Sequence, residues 1–178
     1  MVSKGSLEEL YAEYNRRECA LCDPVRFLYL YEDAGEREVA GLIAALLAYG
    51  RLEQILRSVA GVLDRLEGSP RKFLLCRTPQ KLLTACRGFK HRVTGAKQLA
   101  GLLCAVKGVL EADGSLQACF CRHDDPSAQT ILPGLSGLAG ELERRGGGLD
   151  HLVAHPARGS ACKRWNLYLR WMVRCDAV

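Results

Sequence analysis

The stretch GSACKRWNLYLRWMVRCD, residues 159–176, sets one lysine, Lys163, among small residues at the start of a run with helical spacing. A lysine there can do two kinds of chemistry. As a cation it can hold a phosphate oxygen, helped by the backbone N–H groups and the dipole of a helix start. As a neutral amine it can attack an electrophilic carbon and form an iminium. Burial beside cations such as Arg164 or Arg170 would favour the neutral form. At about 100° per residue, Lys163, Arg170 and Arg174 share a narrow sector with Asn166 at its edge, while Trp165, Tyr168, Leu169 and Met172 lie opposite. One face is cationic and the other can be buried. A capped amphipathic surface helix has the same pattern, with Lys163 snorkelling into water.

Other clusters are weaker. Cys19 and Cys22 form C-x2-C, and Cys119, Cys121 and His123 form a second group, but their intervals match no zinc-ligand pattern, so no metal is expected. His151 and His155 are four apart without an evident third ligand, and are expected to support the hairpin before Lys163 or to contact phosphate. LPGLSG at 132–137 lacks the G-x-S-x-G spacing and preceding strand of a serine nucleophile turn and reads as a helix start.

These residues need elements to hold them, and nearly every segment repeats its apolar residues at helical spacing. The chain reads as all-α. Val39, Leu42, Ile43, Leu46 and Leu47 place one helix over about 36–49, stopped by Gly50. Leu52 to Leu66 gives a second, and Gly68-Ser69-Pro70 ends it and starts a short third. Further helices are expected over about 94–112, 115–120, 135–145 and 149–154, with the last of the chain capped by Ser160. HPARGS, 155–160, joins the last two as a tight hairpin, and the triple glycine at 146–148 is the best hinge.

With 178 residues, 48% of them apolar, the chain can bury a core and is expected to form a single domain over 1–178. No apolar run is long enough to span a membrane, the N-terminus is too charged for a secretory signal, and the nine cysteines read as reduced thiols of a cytoplasmic protein. The net charge of +5 is unevenly spread. No acid lies between Glu67 and Glu111, where Arg71, Lys72, Arg77, Lys81, Arg87, Lys90, Arg92, Lys97 and Lys107 fall, and none between Asp150 and Asp176. Such segregation fits a surface facing a polyanion, or a set of solvated helix faces.

EVAGLIAALLAYGRLEQI at 38–55, GSPRKFL at 68–74 and above all GSACKRWNLYLRWMVRCDAV at 159–178 resemble an uncharacterised bacterial family, domain of unknown function 2400. The last motif is also similar to the helix-hairpin-helix DNA glycosylases, in particular the branch that cleaves 8-oxoguanine. That resemblance implies an all-α, two-lobed bundle whose hairpin binds the DNA backbone. It also implies a base-excision glycosylase and lyase that acts as a monomer, without cofactor, on damaged or abasic double-stranded DNA. Lys163 takes the place of the nucleophile; the family's aspartate would follow Val178, so Asp176 stands in for it or the acid lies beyond Val178. The AYGR turn matches the position from which those enzymes push a side chain into the duplex, making Tyr49 or Arg51 the wedge. Arg71, Lys72, Lys90, Arg92 and Arg158 are the expected phosphate contacts, with Gly159, Ser160, Arg164, Arg170 and Arg174 of the hairpin and helix. Two alternatives stay open: a non-catalytic protein binding DNA or structured RNA on the same scaffold, and an interaction module whose basic face meets an acidic protein.

Overall fold

A computed structural model describes residues 3–173. Its centre is the helix α3 (Ala34–Leu46), which starts where the Asp33 carboxylate accepts the Glu36 N–H at 2.8 Å. From Glu38 to Leu47 every residue of this segment is buried. A helix that is apolar all round belongs inside a bundle, so α3 must be wrapped by the rest of the chain.

Two carboxylates on its first turns organise that wrapping. Glu36 accepts the backbone N–H groups of Arg71 (2.6 Å) and Lys72 (3.1 Å) at the start of α5 (Pro70–Cys76). Glu38 accepts those of Leu116 (2.9 Å) and Gln117 (2.5 Å) at the start of α8 (Leu116–His123). Each helix start has orphan N–H groups that need acceptors, and here a third helix supplies them. Glu38 is 5% exposed. Burial pushes its carboxyl above the usual range, against the two N–H groups and the nearby Arg71, which pull it down.

Around this axis run α4 (Leu52–Arg65), α6 (Pro79–Ala85), α7 (Ala96–Asp113), α9 (Leu132–Gly146) and α10 (Lys163–Val173). Ahead of them lie α1 (Lys4–Tyr14), α2 (Arg17–Ala20) and a 3₁₀ helix, Pro24–Leu30, packed on α3. The buried apolar residues form one cluster from Phe27 to Tyr168. α7 and α9 approach so closely that a Cβ on Gly101 would lie 2.8 Å from the carbonyl oxygen of Gly146, and one on Gly146 2.9 Å from that of Gly101. Among the described residues the chain is thus all-α but for one small hairpin, and no helix is long and apolar enough to cross a membrane.

Three expected elements come out differently. A two-stranded antiparallel hairpin, β1 (Lys90–His91) and β2 (Thr94–Gly95), replaces the expected start of a helix at Thr94. The expected helix over 149–154 is a single turn, in which Leu152 and Val153 both donate to the Leu149 carbonyl at 2.8 Å. Leu152 and Val153 drop into the core and His155 precedes a proline, which disfavours helical backbone, so the turn does not propagate. Ser160 does not cap the last helix directly: its hydroxyl accepts the N–H of Cys162 at 3.1 Å, and the helix starts one residue later.

Replacing Glu38 with alanine leaves two N–H groups without an acceptor, one of them inside the core, and should cost about 3 kcal/mol in urea denaturation. A loss below about 1 kcal/mol would show that the cap does not organise the bundle.

Candidate nucleic-acid interface

The turn that ends α3 is built on a polar network that sequence patterning does not disclose. His91 and Thr94 are fully buried on the β hairpin. His91 Nε2 donates to the Tyr49 carbonyl at 3.0 Å, so its Nδ1 accepts from the Ser58 hydroxyl at 2.9 Å, which in turn accepts from Gln54 at 3.2 Å. On the other side the Tyr49 hydroxyl donates to the His91 carbonyl at 3.1 Å and pairs with Thr94 Oγ1 at 2.5 Å. Thr94 Oγ1 also meets His151 Nε2 at 2.9 Å. Because each hydroxyl has one proton, the chain runs one way: His151 to Thr94 to Tyr49 to the carbonyl of His91. Burial pushes the His91 imidazole below its ordinary range, with Arg92 adding to the depression and the Tyr49 carbonyl opposing it.

Tyr49 therefore has no free end. Its ring meets His91 edge-on at 4.7 Å between centroids, and the Arg164 guanidinium covers it at 5.2 Å. Held by its hydroxyl and by both ring contacts, Tyr49 is part of the scaffold in this conformation, whereas Arg51, at the start of α4, is exposed. Gly50 between them has φ +105, and a Cβ there would lie 2.8 Å from Arg92 Cδ. Arg92 itself takes the left-handed φ of 52 at the tip of the hairpin. The two turns are packed on each other and present Arg51, Lys90 and Arg92, all exposed.

The hairpin before α10 is fastened from several sides. Trp165, fully buried, donates through Nε1 to the Ala154 carbonyl at 2.9 Å. Arg164 donates to the Leu46 carbonyl at 2.8 Å and to the His151 carbonyl, closing the C-terminus of α3 with a cation. Burial holds its guanidinium below the usual arginine range. Arg158 grips Glu143 through both nitrogens at 3.0 and 2.9 Å and Asp150 at 2.7 Å. His155 accepts the Ala157 N–H at 3.2 Å, so both histidines of this segment support it. Gly159 turns the chain with φ 72, and Cys162, buried, enters the helix with φ 48.

Lys163 is the first residue of α10 and is exposed, as are Asn166 and Arg170 on the same face. The shelter expected for a nucleophilic amine is not provided there. Further along that face, Leu167, Arg170 and Trp171 line an open groove of about 270 Å³ against Arg16, Cys19 and Asp23 of the N-terminal segment. The cations named from the sequence separate into groups. Arg51, Lys90 and Arg92 gather near the C-terminus of α3. Arg71 and Lys72 sit at its N-terminus, on the order of 20 Å away for a helix of 13 residues. Arg71 folds over Gly35 and donates to the Gly114 carbonyl at 3.3 Å, while Lys72 is exposed. Arg164 is engaged inside the protein, and Arg158, on the surface, is paired with Glu143 and Asp150. Arg174 and Asp176 lie outside the described residues. Among the described residues no three His, Cys, Asp or Glu side chains come together as a metal ion would need.

The missed residues had little to mark them. His91, Thr94, Ser58 and Gln54 come from a short hairpin and a helix face, with no motif spacing between them. A buried histidine in a run of exposed cations, KHRVTG, was the available signal.

A family model described as "Protein of unknown function (DUF2400)" matches residues 23–178. No curated protein and no solved structure matches the chain.

The depressed imidazole gives a pH signature. The unfolded chain takes up the His91 proton first, so stability present at neutral pH is lost as pH falls below about 6.5, the ordinary imidazole value. Urea midpoints between pH 7.5 and 5.5 should fall with a component approaching about 1.4 kcal/mol per pH unit. His91→Gln, which keeps one donor and one acceptor, should flatten that slope; an unchanged slope would dismiss His91 as its source.

Proposed function

The chain belongs to the DUF2400 family, whose description assigns no activity, and from the hairpin and helix geometry we propose that it is a base-excision DNA glycosylase and AP lyase. The observation that supports this reading best is Lys163, an exposed amine on the first turn of a helix that Arg164 ties to the C-terminus of the central helix and Trp165 ties back to Ala154, just before the hairpin. An element held at both ends can present a reacting group in one place.

In this reading the duplex lies across Lys163, Arg170 and the paired turns bearing Arg51, Lys90 and Arg92, which contact phosphates. Arg51 takes the wedge role, since Tyr49 is held by the network below it. With the nucleotide extruded, the neutral Lys163 amine bonds to the anomeric carbon as the glycosidic carbon–nitrogen bond breaks, and the base leaves with that electron pair and a proton. Opening of the sugar gives an iminium on Lys163. Loss of a proton from the neighbouring sugar carbon then expels the 3′ phosphate, cutting the strand. Asp176 is the carboxylate proposed to aid departure of the base.

One observation favours a second reading. Lys163 is exposed rather than sheltered, which suits a cation on phosphate in a non-catalytic protein that binds DNA or structured RNA.

Borohydride reduction on abasic duplex should trap a covalent adduct that Lys163→Ala abolishes; tight binding with no adduct would leave only the second reading. Four exposed cations, Arg51, Lys90, Arg92 and Arg170, set a slope of log affinity on log salt of about −3.6 in the first reading, and a charged Lys163 takes it to about −4.5 in the second. Arg92→Gln should reduce the slope by about one, and Arg158→Gln, whose cation is already paired with Glu143 and Asp150, should not change it. A flat salt response would dismiss both readings.

A further inference from the structure

A second site lies behind α10, on the face turned away from Lys163. A pocket of about 250 Å³ opens between α3, α8, α9 and α10, walled by Phe120, Leu138, Leu169 and Met172. Two polar side chains share its lining, Glu38 and Tyr168, which are only 5% and 4% exposed. Each Glu38 oxygen accepts one backbone N–H, from Leu116 or Gln117, and a carboxylate oxygen has capacity for a second. The Tyr168 hydroxyl has no hydrogen-bond partner among the described residues, although a buried tyrosine ordinarily finds one. Burial raises its phenol well above the ordinary range and Glu38 reinforces the shift, which keeps the hydroxyl a donor. Spare acceptor capacity on Glu38 and the unpaired Tyr168 donor thus stand together in an apolar recess.

We propose that this pocket binds a small planar heteroaromatic amine, its N–H donated to Glu38 and its adjacent ring nitrogen accepting from Tyr168, with the ring held by Phe120 and Met172. The size supports one ring or two fused rings: an apolar cavity of about 150 Å³ already takes benzene. The mixture of apolar walls with a few converging polar groups is what small-molecule sites share. The donor belongs beside Glu38 because the carboxylate, charged or not, still has lone pairs to offer, and the acceptor beside Tyr168 because the phenol offers its proton. Nothing in this site depends on binding of nucleic acid to the opposite face.

The chain has two methionines, Met1 and Met172, so selective ¹³C-methyl labelling of methionine gives a signal inside the pocket wall. Titration with 2-aminopyridine should move the Met172 signal saturably, and Tyr168→Phe should weaken binding about tenfold. Toluene, which lacks the polar edge, should bind the variant as it binds the parent, which also shows that the pocket survives the substitution. Equal 2-aminopyridine affinity in the two proteins would overturn the pairing and leave an apolar crevice. No movement of Met172 with either probe would overturn the site.

Discussion

The structure depends on one helix that is buried from Glu38 to its C-terminal end and therefore has to export its polar obligations. α3 meets the need at both ends with distant parts of the chain. At its start Glu36 and Glu38 lend their carboxylates to the N-termini of α5 and α8, and at its end Arg164 takes the Leu46 carbonyl. Each contact pairs a charge with a helix end of opposite sign, and each is at least partly buried, where such pairings are strongest and where losing one partner is most costly. Three elements separated by up to 118 residues are thereby given a fixed relation to one axis.

That axis also decides which cations are available. Arginines of similar appearance in the sequence have different uses: Arg164 closes a helix, Arg158 is neutralised by two acids, and Arg71 lies across Gly35. What remains at the C-terminal end of α3 is a smaller set, Arg51, Lys90 and Arg92 on two interlocked turns and Lys163 at the start of α10. The rigidity of those turns comes from hydrogen bonds beneath them, running from His151 through Thr94 and Tyr49 to the hairpin backbone. A surface built this way can position charge with little entropy left to lose on binding.

Much of the helical framework was legible. The apolar register of Val39, Leu42, Ile43, Leu46 and Leu47 marks α3, because it depends on neighbours in the sequence, but the helix ends at Leu46, short of the stop expected at Gly50. The β hairpin was not legible, because two residues per strand leave no alternation to read, and its stability comes from Tyr49, Ser58 and His151 far along the chain. The turn at 149–153 looked helical by spacing, but Leu152 and Val153 are placed by the core rather than by a helix face. At the interface the lysine and its helix could be found from the sequence. The engagement of Arg164 and Arg158 could not, since the carbonyls and carboxylates they meet are identified only by the fold. The carboxylate Glu38 read as one acid among many in the N-terminal third, with no sign that it would lie beside Tyr168.

The contact between Gly101 and Gly146 has a mechanical consequence. With each carbonyl set where the opposing Cβ would be, α7 and α9 cannot slide along one another without driving backbone into backbone. The pair behaves as a keel, stiff to shear.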